Sequence, residues 1–182
     1  MPTVAPLDLD GHCLAAGFLG DVPFFCAADG TIHRLDHGHK RETVHDGLLC
    51  AAFDATAGRL LTGGEDGKVA ITKADGSFLI AADAGKKWVT SVAAGPQEAL
   101  AWAIGRTAFC RLPDGKVKEF SHPRSVEGLA FAPKGMRFAV ARYNGATLHF
   151  PAAIEGAQIE HQFENGLLII HLRKQAANKN AA

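Results

Sequence analysis

No excess of either charge marks this chain: 19 Lys and Arg balance 19 Asp and Glu. That balance excludes a dedicated nucleic-acid-binding module, whose affinity rests on concentrated basic residues that neutralise phosphates. No apolar run approaches the roughly 20 residues needed to span a bilayer, so no membrane partner is expected. The first residues, MPTVAPLDLDGH, have neither a basic start nor a long apolar core. They do not read as a signal peptide, and the expected location is cytoplasmic. Serine is scarce (Ser77, Ser91, Ser121 and Ser125), and none stands in the G-x-S-x-G elbow of serine hydrolases. The nearest approach to a phosphate-binding loop is GGEDGK at 63–68. A P-loop needs one more residue between its glycines and a Ser or Thr after the Lys, where Val69 stands, so this segment reads as a hairpin turn.

Cysteine is sparse and unpaired in pattern. Cys13, Cys26, Cys50 and Cys110 show no C-x-x-C spacing and lie on or beside apolar strand-like runs. The expectation is buried free thiols rather than a zinc site. Histidine is richer: His33, His37, His39 and His45 fall close together, and His37-Gly-His39 has the spacing that points both side chains to one strand face. A metal pocket there is the sharper reading. Asp36 and Gly38 favour the plainer one, a turn carrying exposed histidines, so no metal ligand and no cofactor is assigned.

What the chain does have is a repeat. The 25 residues from Leu48 to Thr72 align without a gap on Val126 to Phe150, at an offset of 78, twice 39. The identities are few: Ala52 with Ala130, Phe53 with Phe131, Arg59 with Arg137, Gly67 with Gly145. The pattern carries more weight. An apolar stretch ending in Phe leads through a turn to a second apolar stretch, then Asp-Gly or Asn-Gly, then a third alternating run. Two-residue links of this type permit the positive φ of tight hairpins. Asp29-Gly30, Asp66-Gly67 and Asn144-Gly145 occupy equivalent points, and Asp75-Gly76 and Asp114-Gly115 follow one short strand later. A period near forty residues means a stack of small units that bury their faces on each other.

Four strands per unit, a to d, follow. Strand a is predicted near 13–19, 48–54, 88–94 and 126–132; strand b near 22–28, 59–64, 99–104 and 137–143. Strand c is predicted near 31–35, 68–73, 107–112 and 146–150, and strand d near 39–44, 77–83, 116–121 and 158–163.

With these residues in view, the chain resembles the WD-repeat (WD40) β-propellers, and more particularly uncharacterised bacterial members with degenerate repeats. The resemblance covers roughly residues 10–151. In that family a His before strand a, a Ser or Thr in strand b, an Asp in the b-to-c turn and a Trp in strand c form a structural hydrogen-bond chain. Here His45, Thr62 and Asp66 match, with Thr72 in place of the Trp; the fourth unit keeps His122 but has Val140, Asn144 and Phe150. No Trp-Asp pair occurs.

The resemblance implies an all-β fold, a partial β-propeller of about four four-stranded antiparallel blades within residues 1–151. The blades would run about 10–45, 46–85, 86–122 and 123–163, and 164–182 would hold an incomplete extra strand and a disordered tail. It also implies a non-enzymatic interaction scaffold whose partners are proteins or peptides. The alternative is a small-ligand binder or propeller hydrolase that uses the central channel or a metal site in the His cluster.

Partners of such propellers dock on the rim formed by the d-to-a and b-to-c loops. In the first two units these loops carry Asp29, Asp46, Glu65 and Asp66. In the third and fourth they carry Lys86, Lys87, Trp88, Arg106, Arg124, Arg142 and Tyr143. Arg, Trp and Tyr dominate binding hot spots. The expectation is an acidic peptide docked on the basic, aromatic side; the plainer reading has Trp88 begin a strand and pack inward.

Family rings usually close with seven blades, and the outer strand of the last comes from the N-terminus, a role open to Thr3 to Leu9. Three explanations of a four-blade count stand: a shortened relative of a longer propeller, which is preferred; a homodimer through the open propeller ends; and a ring that closes on itself.

Overall fold

A computed structural model describes residues 6–149, together with the backbone of 157–164 and 167–174. The chain forms two compact units, Met1–Pro151 and Ala152–Ala182.

The first unit is a series of antiparallel meanders. Strands β1 (Cys13–Leu19), β2 (Val22–Ala27), β3 (Thr31–Leu35) and β4 (His39–Thr43) form the first sheet. The second holds β5 (Leu48–Asp54), β6 (Arg59–Gly64), β7 (Lys68–Lys73) and β8 (Phe78–Asp83). The third holds β9 (Ser91–Ala94), β10 (Leu100–Ile104), β11 (Thr107–Arg111) and β12 (Val117–Ser121). The fourth has three strands among the described residues: β13 (Val126–Phe131), β14 (Phe138–Arg142) and β15 (Gly145–His149).

Positive-φ glycines make the turns. In the b-to-c turns of the first two sheets, Gly30 and Gly67 have φ of 92° and 77°. A Cβ on either would strike the backbone of the loop leading to the next sheet, His45 O and Gly85 O respectively. Only glycine meets both demands, and this explains the recurring Asp-Gly.

Strand alternation sends neighbouring residues to opposite sheets. Leu60 packs toward the first sheet with Leu19, Phe24 and Ile32, whereas Leu61 packs toward the third with Val92 and Trp102. In the third sheet Trp102 faces back, while Ala101 and Ala103 face forward to Phe138 and Val140. Three separate apolar layers result, one between each consecutive pair of sheets. The first strands β1, β5, β9 and β13 pack in succession, and no comparable contact joins β13 back to β1. The self-closing ring is therefore not what the described residues form.

Several expectations need correction. Strand β9 begins three residues later than predicted, at Ser91, so Trp88 lies in the preceding loop, with Val89 buried beside it. Cys13 is exposed, because no other sheet of the first unit covers the outer side of β1; Cys26 and Cys110 are buried and Cys50 is half-buried. The gap-free alignment of the second and fourth units slips by one residue in β15. Arg142 pairs with Gly145 across a two-residue turn with Asn144 at φ 63°, which places His149, not Phe150, opposite Phe138. Phe150 lies outside the described residues.

In the second unit, β16 (Ala157–Glu164) pairs with β17 (Leu167–Lys174). The segment read from the sequence as strand d of the fourth blade thus has a local partner instead. Asn165-Gly166 separates the two strands, the same hairpin signal that recurs earlier in the chain. Of the N-terminal segment, 6–9 are not in a strand; 1–5 and 175–182 lie outside the described residues.

Candidate functional site

Two polar chains, one buried and one with exposed ends, stand in the first two blades. In the second blade, His45 Nδ1 lies 3.0 Å from Asp66 Oδ1 and Nε2 lies 2.9 Å from Thr62 Oγ1. Asp66 also accepts from the amide of Lys68 at 3.1 Å. A carboxylate on Nδ1 fixes the proton there, so Nε2 accepts from the Thr62 hydroxyl. The three residues tie the incoming loop, strand b and the b-to-c turn together. In place of a fourth partner, the Thr72 hydroxyl is buried without a hydrogen bond. It lines a cleft of about 430 Å³ between the first and second blades, walled by Phe24, Ile32 and Val44.

The first blade builds a different chain. Thr31 donates its hydroxyl and amide to Asp29 Oδ1, at 2.6 and 3.0 Å. His33 Nε2 lies 3.0 Å from Thr31 Oγ1, and His33 Nδ1 lies 2.8 Å from His39 Nε2, with the two rings stacked. Because Thr31 gives its proton to Asp29, it accepts from His33 Nε2, and His33 Nδ1 in turn accepts from His39. Burial, then the nearby His39 and Arg41, push the His33 pKa down. The Thr31 bonds hold the Asp29 carboxyl below its ordinary value. The histidine cluster is thereby divided: His33 and His39 stack, His45 belongs to the second blade, and His37 points to solvent from a turn with positive φ.

The fourth blade keeps the histidine but not its partner. His122 is buried with Nε2 unbonded, because Val140 stands where the second blade has Thr62. His149 Nε2 is likewise buried and unbonded, its ring 5.1 Å from that of His122. Burial lowers both pKa values, reinforced at His122 by Arg142 and at His149 by His122.

Backbone hydrogen bonds then stitch the rim loops into one strip. Val89 N donates to Gly64 O, and Thr90 N to Ala103 O. His122 N donates to Arg106 O, Val126 N to Gly105 O and Tyr143 N to Ser125 O. The turns bearing Arg106 and Tyr143 therefore flank the loop bearing Arg124. On this strip Trp88 is 56% exposed and Tyr143 63% exposed. Lys86, Lys87, Arg106 and Arg124 are exposed as well. Arg142 differs: it is half-buried, folds back to donate to Ala146 O at 3.1 Å, and leaves Nε buried without a partner. On the acidic side Asp66 is buried on His45, and Asp29, though exposed, is bonded to Thr31 and Arg41, which leaves Asp46 and Glu65 as the exposed carboxylates not engaged in this way. The contrast expected from sequence narrows on both sides.

Thiol chemistry is disfavoured at the inner cysteines: burial pushes Cys26 and Cys50 up to about 12 and Cys110 to about 11. Among the described residues no group of three or more His, Cys, Asp or Glu is placed to hold a metal ion. No helix among them is long and apolar enough to cross a membrane.

Sequence reasoning missed Arg59. From β6 it donates to Asp54 at 2.8 Å and to the carbonyls of Glu98, Gly95 and Ala99 at 2.9, 3.2 and 3.0 Å. These carbonyls belong to the a-to-b loop of the next blade, where Gln97 and Glu98 hold φ of 53° and 64°. Its identity with Arg137 at offset 78 is the signal for that role.

No family model matches the chain, and no curated protein sequence does. Solved structures with a similar fold include the computationally designed Ika4 protein, at TM-score 0.66 and 16% identity over 82% of this chain and 99% of that one. The β-propeller domain of Cps50 (Swd1) from Myceliophteria thermophila matches at TM-score 0.63 and 12% identity, over 76% of this chain and 53% of that one. A chain of the Mitotic Checkpoint Complex matches at 0.58 and 17%, over 90% and 52%. This chain thus spans about half the length of each of the latter two. At these identities the likeness shows the fold alone: the described residues form an all-β, partial β-propeller of antiparallel blades.

Proposed function

We propose that this chain is a degenerate propeller of the WD-repeat type that serves as a non-enzymatic docking platform for other proteins. Its blades run 10–45, 46–85, 86–122 and onward from 123. The site is the rim of the third and fourth blades, and the ligand is an acidic peptide segment.

One observation carries the reading. Trp88 and Tyr143 stand exposed on a strip of hydrogen-bonded loops that also presents Lys86, Lys87, Arg106 and Arg124. Exposed aromatics on a rigid base bury large area at small entropic cost, and the surrounding cations select carboxylates. The similar chain from the Mitotic Checkpoint Complex belongs to a complex, which is consistent with a protein partner here.

The two tryptophans make a direct test available, because Trp102 is 5% exposed and Trp88 is not shielded. Titration with a Glu-rich decapeptide is expected to shift Trp88 emission, with no response in Trp88→Phe. Lys87→Glu combined with Arg106→Glu is expected to weaken binding at least tenfold. Unchanged emission at millimolar peptide, or binding indifferent to the charge reversals, would overturn the proposal.

A further inference from the structure

Two kinds of contact join consecutive blades. The first is a ring on a small residue: Phe53 of β5 lies against Gly17 of β1, so closely that a Cβ there would come within 2.7 Å of the ring. Phe131 of β13 also packs on a glycine of the preceding blade, Gly95, two residues beyond the register position that Gly17 holds in the first blade. The second is the Arg59 clamp on the next blade's a-to-b loop.

Each end of the series carries one half of each contact. On the first blade, Phe18 holds the position of Phe53 and Phe131 but is 60% exposed, with Leu14 exposed beside it on the same face. On the fourth blade, Ala130 holds the position of Gly17 and is exposed, as are Ala139, Ala141 and Leu148 on that outward face. Arg137, the counterpart of Arg59, is exposed; its guanidinium donates only to Lys134 O of its own loop among the described residues. The carboxylate that steadies Arg59, Asp54, has Ala132 as its counterpart, so that acid is missing beside Arg137 among the described residues. At the other end, the a-to-b turn of the first blade is Gly20-Asp21, exposed and acidic. Large apolar groups at one end thus complement small ones at the other, and a cation with no acidic partner among the described residues complements an exposed carboxylate.

We infer that the outward face of the fourth blade is the docking site for the first blade of a second copy of this chain. Phe18 seats on Ala130, and Arg137 reaches Asp21 of the other copy. Each copy carries both halves, so a two-fold axis satisfies both ends at once. Two sets of four blades make eight, within the range of about four to eight known for closed propellers. This inference is independent of the rim reading, since the rim loops take no part in it.

The test is light scattering on the full chain after size exclusion, with cysteine cross-linking. A mass twice 19.2 kDa is expected at tens of micromolar chain. In a Cys13→Ser background, mixed Phe18→Cys and Ala130→Cys chains should form an intermolecular disulfide under mild oxidation. Arg137→Asp should weaken dimerisation at least tenfold, and combining it with Asp21→Arg should restore it, which separates loss of the contact from loss of folding. A monomer, a ladder of open oligomers, or a dimer indifferent to Arg137→Asp and without the disulfide would each overturn the inference.

Discussion

His45 Nε2 and Thr62 Oγ1 lie 2.9 Å apart with both side chains buried, joining the loop into the second blade to that blade's second strand. Thr62→Val keeps the shape and removes the hydroxyl, which leaves an imidazole nitrogen unsatisfied. The expected loss is about 1–3 kcal/mol in urea unfolding. The converse is informative: Val140→Thr offers the unbonded His122 Nε2 a partner and is expected to raise stability by about 1 kcal/mol.

Arg59→Met should be among the most damaging substitutions in the molecule. It strands Asp54 and three carbonyls around a loop with two non-glycine residues at positive φ. Removing one partner of a buried pair typically costs about 3–5 kcal/mol. Arg137→Met at the equivalent exposed position should cost under about 0.5 kcal/mol of monomer unfolding free energy. Paired denaturation curves in dilute protein check the contrast.

Acidification should begin to destabilise the chain before its carboxylates titrate. Burial lowers the pKa of His33, His122 and His149, so the native state holds them neutral while the unfolded state binds protons from about pH 6.5 downward. Stability is therefore full above that value and falls as the pH drops below it. Urea midpoints measured from pH 8 to pH 5 should decline through this window. A flat profile would contradict the assignment.

Thiol labelling separates the four cysteines. Cys13 is exposed, whereas burial holds Cys26 and Cys50 at about 12 and Cys110 at about 11. At pH 8 one thiol per chain should react within minutes and the other three only on unfolding. Two or more fast thiols would contradict the packing between blades.

Strand positions were legible in the sequence because alternation and Asp-Gly turns are local signals: β1, β3, β5, β6 and β7 fall on the predicted bounds. What depends on the neighbouring blade was not. Arg59 and Cys13 owe their environments to a sheet about forty residues away, or to the lack of one in the first unit. The one-residue slip of β15 arises in a turn whose length is invisible to a gap-free alignment. At the candidate site, Trp88 and Tyr143 were named from their loops, while the inward fold of Arg142 and the pairing of Asp66 required side-chain geometry.

The central claim concerns the rim, and hydrogen exchange of the full chain with and without a Glu-rich peptide tests it most directly. Slowed exchange is predicted in 84–90, 105–107, 122–126 and 143–145, with no change in the turns of the opposite rim at 55–58, 74–77 and 112–116. Protection confined to those opposite turns, or none anywhere at saturating peptide, would contradict it.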